Sequence, residues 1–370
     1  MPGGGGRTGG WTRRNALAVV AACLACVGAA PAAADAKVPA GWLGAALGED
    51  LNTRPALLDG EFALMARSGV STVRVTFDWN VAQPFPDWQP WLGQTDAIVL
   101  AAARRGIDVI PTVVGAPGWA SDETADGTFV LTPRDPEQYA AHLRVLIARY
   151  GPQGSLWAEH PDVRARPIRA WQIWNEPNLK RYWRGDWETG YLALLKAAHA
   201  AVKGADPGAK VVLAGLPNYS WLALQSLYRK GAASYFDVVA VHPYTRYLRN
   251  VVELVGANRR VMRANKDSAA ELWVTELSWS AAKGRARDLG FSVTTDQQSR
   301  LLRAAVRELA RQRTQLGLRK VLWYAWLTRG RGTTDPFAYS GLRFLTASGG
   351  VRSTPALRAF QRAAKDVGAR

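Results

Sequence analysis

Cysteine is almost missing: the 370 residues hold two, Cys23 and Cys26, and both fall in the first 34 residues. The rest of the chain therefore offers no disulfide, no thiolate nucleophile and no cysteine metal ligand. Histidine is nearly as scarce. His142, His160, His199 and His242 form no pair at ligand spacing, so no metal is expected, and nothing in the sequence asks for a cofactor. Acidic residues are in deficit, 30 against 47 Lys and Arg, for a formal net charge of +17. Such an excess favours acidic partners, whether nucleic acid, an anionic surface or an acidic polysaccharide. The arginines are scattered, as at Arg300, Arg303, Arg307, Arg311 and Arg313, which is the pattern of solvated helix faces. No RNA- or DNA-binding motif accompanies them, so nucleic acid is not expected. Long apolar runs are missing too. Ala16 to Ala30 is Ala-rich, holds Gly28 and is followed by Pro31, and it falls short of the ~20 apolar residues a membrane-spanning helix needs.

That stretch has another reading. Arg7, Arg13 and Arg14 precede it, and an Ala-rich end with cleavage after Ala34 or Ala36 follows. Residues 1–34 thus read as a secretory leader and predict a secreted, extracellular protein. Two variants stay open: Thr12-Arg13-Arg14 is weakly similar to a twin-arginine signal, and Val20-Ala21-Ala22-Cys23 resembles a bacterial lipobox. The second would leave the chain lipid-anchored through Cys23 on the outer face of the cell membrane.

Past the leader, eight β-rich runs alternate with eight amphipathic stretches. The runs cover 42–47, 72–78, 108–114, 169–174, 210–216, 237–241, 272–275 and 320–326. The stretches lie near 51–67, 95–105, 135–150, 187–203, 221–231, 248–265, 295–316 and 355–367. Asp135-Pro136, Asp296 before Gln297, and Thr354-Pro355 are helix-start signals. Strict alternation eight times over predicts an α/β chain folded as a parallel (β/α)8 TIM barrel, one domain over 35–370. A doubly wound open sheet is the alternative, but it usually has fewer strands, and no glycine-rich phosphate turn follows the first run here.

Two glutamates close apolar runs, Glu176 in Trp171-Gln172-Ile173-Trp174-Asn175-Glu176-Pro177 and Glu276 in Leu272-Trp273-Val274-Thr275-Glu276-Leu277. Barrel sites are built at the C-terminal ends of the strands, and these residues would end the fourth and seventh. A period of two sets Glu276 on the face of Val274 and Leu272, and Glu176 on that of Trp174 and Gln172, both inward at the mouth. Paired carboxyls across a sugar suit glycosidic cleavage: one protonates the leaving oxygen while the other attacks or activates water.

Trp171–Asn178, taken with His242-Pro243-Tyr244 and Trp273–Ser278, resembles the clan A glycoside hydrolases, barrel enzymes that act with retention of configuration. Pro117-Gly118-Trp119-Ala120, Ala148-Arg149-Tyr150-Gly151 and Ile173–Asn178 are most similar to family 39, which includes β-xylosidases and exopolysaccharide-cleaving members, with family 5 next. The resemblance runs through strand order over nearly the whole chain beyond the leader. It implies a secreted retaining glycosidase hydrolysing β-linked O-glycosidic bonds of a polysaccharide or oligosaccharide by double displacement. Glu176 would be the acid/base, kept protonated by a desolvated position beside Trp174, and Glu276 the nucleophile. Arg74 would stand near Glu276, with Tyr244 as a second donor to it. Asn175 and His242 would bind sugar in the central subsite, and Trp326 would form its floor, with Trp323 in reserve. Trp119 and Trp183 are candidate platforms for outer sugars. The basic charge points to an acidic cell-surface or biofilm polysaccharide. Two other readings use the same residues: a non-catalytic polysaccharide-binding protein, and a transglycosylase in which a sugar replaces water. The carboxyls are expected about 5–5.5 Å apart.

Overall fold

The computed structural model describes residues 37–369 apart from 126, 128 and 129, so the leader expected at 1–34 and its lipid variant at Cys23 lie outside the described residues. Eight parallel strands form the core: β1 (Leu43–Ala46), β2 (Thr72–Asp78), β3 (Asp108–Val114), β4 (Ala170–Ile173), β5 (Lys210–Val212), β6 (Val238–His242), β7 (Glu271–Leu277) and β8 (Leu318–Trp323). Each pairs with the next, and β8 returns to β1 with Leu43 opposite Val321, which closes the cylinder and rules out the open sheet. β5 breaks after Val212 and resumes as Leu216–Pro217, still paired with β6 through Val241 and His242.

Eight helices alternate with the strands: α1 (Pro55–Arg67), α2 (Gly93–Arg104), α3 (Pro136–Tyr150), α4 (Trp187–Ala205), α5 (Ser220–Arg229), α6 (Leu248–Ala264), α7 (Thr295–Leu316) and α8 (Pro355–Asp366). The start of α3 follows its sequence signal, with Pro136 in the first turn and the Asp135 carboxylate accepting from Glu137 N–H. At α7 the cap is Thr294 instead of the expected Asp296. Thr294 Oγ1 accepts from Gln297 N–H while Gln297 Oε1 accepts from Thr294 N–H, a reciprocal pair that satisfies two donors, and Asp296 sits in the first turn facing the helix dipole. Among the described residues no helix is long and apolar enough to cross a membrane.

The barrel interior is filled in layers. Ile110, Val212, Val238, Ala240, Trp273 and Leu322 form a packed middle. Below it Lys320 lies 5.3 Å from the Trp273 ring and donates to Gly41 O. Polar side chains sit above it, at the C-terminal mouth. After β8 comes a small sheet that strand–helix alternation does not foresee, β9 (Leu327–Thr328), β10 (Arg343–Leu345) and β11 (Val351–Ser353). Arg343 ties it to α1 through two bonds to Glu61, at 2.7 and 3.1 Å.

Candidate active site

β4 ends at Ile173, and the next residue interrupts the alternation, since Trp174 has φ 69° in the left-handed region. The break turns the indole away from the barrel axis. Its ring packs edge-on against Tyr139 of α3 and Trp183, and its N–H is donated to Tyr182 O. Glu176 is also left-handed, at φ 43°, and the adjacent Asn175 and Glu176 both reach the site. The desolvation expected for Glu176 is present, with burial as the largest cause of its raised pKa, while the Trp174 ring packs in the helix layer.

β7 departs from a simple period as well. Trp273 and Thr275 face the interior, whereas Leu272 and Val274 pack against the helices. An unbroken period would send Glu276 outward with the latter pair, contrary to the sequence reading. The strand escapes this by a bulge: Val274 lies opposite Val321 and Leu277 opposite Trp323, three steps against two. The extra residue re-aims Glu276 into the mouth beside Thr275.

Arg74, on the inward face of β2 and 6% exposed, joins the parts. Its Nη1 donates to Glu276 Oε1 at 2.5 Å, Nη2 to Asn175 Oδ1 at 2.7 Å and Nε to Gln172 Oε1 at 2.5 Å. A flat, charged fork suits three acceptors, two from β4 and its end and one from β7. Gln172 is held in turn by Thr112 Oγ1–H and by its own bond to Leu213 O. Because Arg74 takes Asn175 Oδ1, the Asn175 amide nitrogen is the atom left to donate to a ligand. The Tyr244 hydroxyl donates to the second oxygen of Glu276, Oε2, at 2.6 Å.

His242 lies beneath both glutamates and is 0% exposed. Its Nδ1 is 2.6 Å from Glu176 Oε1 and 3.5 Å from Glu276 Oε2, and its Nε2 is 3.0 Å from Thr275 Oγ1. With both ring nitrogens engaged and no surface open, His242 does not touch a sugar as expected; it orients the carboxyls. The ring fits only because Gly215, in the break of β5, has no side chain: a Cβ there would sit 1.9 Å from Nε2.

A carboxylate oxygen of Glu176, a His242 ring nitrogen and a carboxylate oxygen of Glu276 all lie within 4.8 Å of one another. Burial pushes the Glu176 carboxyl up, and the charge of Glu276 adds to this, outweighing the lowering by His242 and Arg74. Burial acts upward on Glu276 too. There the charges of His242 and Arg74, with hydrogen bonds from Tyr244 and Arg74, prevail and hold it below the ordinary carboxyl value. Burial, then the Glu276 charge, places the Tyr244 phenol well above its usual value, so it stays a neutral donor. Two adjacent carboxyls with opposite shifts form an acid beside an anion. Among the described residues, Glu176, His242 and Glu276 are also the trio with metal-ligand spacing. Arg74 already supplies positive charge at Glu276 Oε1 and would repel a second cation there.

Aromatic rings wall one side of the mouth. Tyr244 packs 5.2 Å from both Phe291 and Phe337, and 6.5 Å from Tyr324. Tyr324 is the ring past the end of β8 that reaches this cluster, and it went unrecognised in the sequence. Its signal was an aromatic hydroxyl directly after Trp323. Trp326 is not the floor: it is fully buried toward α1, with its N–H donated to Glu61 Oε2 at 2.7 Å. Trp323 packs outward as well, beside Trp279, and donates to Ser340 O. Trp183, 8% exposed and edge-on to Trp174 and Tyr191, is core packing and no platform. Trp119, half-buried on the loop after β3, donates its N–H to Gln83 O. Sequence reading also missed Gln172, Thr275 and Gly215; two polar residues inside apolar strands were the available clue.

No protein-family model matches the sequence, and no curated protein matches it. Solved structures do. The chain is similar to a family 39 glycoside hydrolase from the gut symbiont Bacteroides cellulosilyticus WH2, at TM-score 0.66 and 17% identity, over 88% of this chain and 63% of that one. It thus spans less than two thirds of that protein's length. It is similar to a monomeric β-xylosidase from Caulobacter crescentus CB15, at TM-score 0.65 and 17% identity, over 88% and 68% of the two chains. A GH5_18 protein from Streptomyces cattleya, solved in complex with GlcNAc, gives TM-score 0.64 and 18% identity over 90% and 81%. At these identities the likeness establishes a shared barrel fold.

Proposed function

We propose that the protein is a retaining glycoside hydrolase of the clan A kind, nearest to family 39, cleaving β-linked O-glycosidic bonds of a polysaccharide or oligosaccharide. The observation that carries the reading is the carboxyl pair, with oxygens within 4.8 Å and pKa values displaced in opposite directions. That spacing supports direct attack on the sugar, since an inverting pair needs about 6.5–9.5 Å to admit a water.

In the first step a Glu276 oxygen attacks the anomeric carbon while Glu176 passes its proton to the departing oxygen. The glycosidic bond breaks and a glycosyl ester forms on Glu276. Esterification removes the Glu276 charge, one of the causes that hold Glu176 up, so Glu176 becomes better suited to act as a base. It then takes a proton from water, whose oxygen attacks the same carbon and releases the Glu276 carboxylate. Two displacements restore the original configuration. Arg74 and Tyr244 keep both Glu276 oxygens in place, and the Asn175 amide is positioned to bond the hydroxyl beside the anomeric carbon, where such bonds strengthen in the transition state.

Glu276→Ala should abolish turnover of every substrate. Glu176→Ala should cripple cleavage of poor leaving groups but spare activated aryl glycosides, which need little acid help; equal loss on both would contradict the role given to Glu176. The proposal extends to export through the leader and to an acidic cell-surface or biofilm substrate. Lys180, Arg181, Arg246, Lys283, Arg285 and Arg287, exposed in the loops after β4, β6 and β7, support the second point. Rates on acidic glycans should then fall as salt rises, and salt-independent, equal rates on neutral and acidic glycans would refute it.

A further inference from the structure

A groove of about 990 Å³ runs from the mouth down the flank of the barrel between α5 and α6. Tyr244 and Thr245 form its upper end, and the Tyr244 hydroxyl binds Glu276, so the groove begins one side chain away from the carboxyl pair. Its head is aromatic. Tyr219 and Trp221 stand edge to face with centroids 5.5 Å apart, and Tyr219 is 69% exposed. The opposite wall is a stripe of α6 in which Asn250, Glu253, Ala257, Arg260 and Ala264 recur at three- and four-residue spacing. From Asn250 to Ala264 the helix rise makes that stripe about 21 Å long. Ala257 and Ala264 give depth, while Asn250, Glu253 and Arg260 supply donors and acceptors. The walls are fixed to each other, with Asn258 donating to Ser220 Oγ at 2.7 Å and Asn265 to Gln225 Oε1 at 3.2 Å. The groove is therefore preformed.

We propose that this groove binds the glycan beyond the bond being cut, carrying a run of sugar rings down the barrel flank and making chain length a determinant of substrate choice. The proposal rests on the glycosidase reading. Sugar rings present apolar C–H faces within a rim of hydroxyls, and an aromatic head followed by alternating small and polar side chains matches both. Glu253 and Arg260 contribute one charge of each sign, so the groove reads ring faces and hydroxyls and not net charge.

Turnover of a panel of aryl monoglycosides by the wild-type protein tests the glycosidase reading separately, because these probes are too short to enter the groove. The groove is tested on an array of immobilised oligosaccharides graded in length, using Glu276→Gln protein, which is expected to bind without cutting. The comparison adds Trp221→Ala, Trp221→Phe or Leu222→Ala to that background. Leu222 is 57% exposed on α5 and outside the groove, so it controls for lost surface apolar area. Trp221→Ala should weaken binding of long chains about tenfold and leave mono- and disaccharides unchanged. Trp221→Phe should restore most of that loss, and Leu222→Ala should have no effect. Equal binding with and without Trp221, a loss shared by Leu222→Ala, or no preference of the Glu276→Gln protein for long chains over short would each overturn the proposal.

Discussion

Replacing Glu276 with Gln keeps the shape of the side chain and removes its charge. Oxygens of Glu176 and Glu276 lie within 4.8 Å, so at an effective dielectric near 20 the repulsion removed is about 3.5 kcal/mol. The change also strips Arg74 of its anionic partner and leaves that positive charge to act on Glu176, which lowers the Glu176 pKa further. Burial, the largest cause of the upward shift, is unchanged, and relaxation of the site weakens the Coulomb term. The Glu176 pKa is therefore expected to fall from its raised position in the wild-type protein. Carbon-13 NMR titration of the glutamate side chains would read it without any need for turnover, with Glu176→Gln assigning the resonance. A Glu176 pKa that stays put or rises in Glu276→Gln would refute the electrostatic coupling on which the acid role depends.

Three further outcomes follow from the same geometry. Arg74→Met should cost about 3–5 kcal/mol at neutral pH in urea unfolding, because an ionised Glu276 is left buried without its cation. Since the folded pKa of Glu276 is lowered, its stabilising contribution is present above the unfolded value of about 4.3 and is lost as pH falls through the folded one. The cost of Arg74→Met should thus shrink in acid, and a gap constant from pH 7 to pH 3 would contradict this. Glu176 behaves oppositely: its pKa is raised, so its contribution is full below about 4.3 and is lost as pH rises through the folded value. Glu176→Gln should melt about 2–4 °C higher than wild type at pH 8 and gain nothing at pH 4 by calorimetry; a gain independent of pH would count against it. Gly215→Ala brings a Cβ to 1.9 Å from His242 Nε2, must displace the ring that orients both carboxyls, and should lower kcat/KM on the order of 100-fold in a protein whose circular dichroism is unchanged. Undiminished activity in that variant would remove His242 from the account.

The order of elements is legible because each strand is bounded by turn residues and each helix carries an apolar stripe. β2 and β3 fall where the sequence reading places them, residue for residue, at Thr72–Asp78 and Asp108–Val114. β9 to β11 are two or three residues long, too short for any period to show. Strand-end position points to Glu176 and Glu276, but parity gives the wrong reason for their orientation. The left-handed backbone at Trp174 and the bulge between Val274 and Leu277 aim them, and side-chain periodicity encodes neither. The same limit misplaces Trp326. β8 stops at Trp323, and three residues on the chain has turned Trp326 toward Glu61.

The most direct test of the double-displacement claim is proton NMR of the first product released from a β-glycoside, read before mutarotation. The carboxyl spacing predicts that the β anomer forms first and the α anomer grows in later. An α anomer appearing first would mean that water attacks the sugar directly, and Glu276 would no longer be the nucleophile.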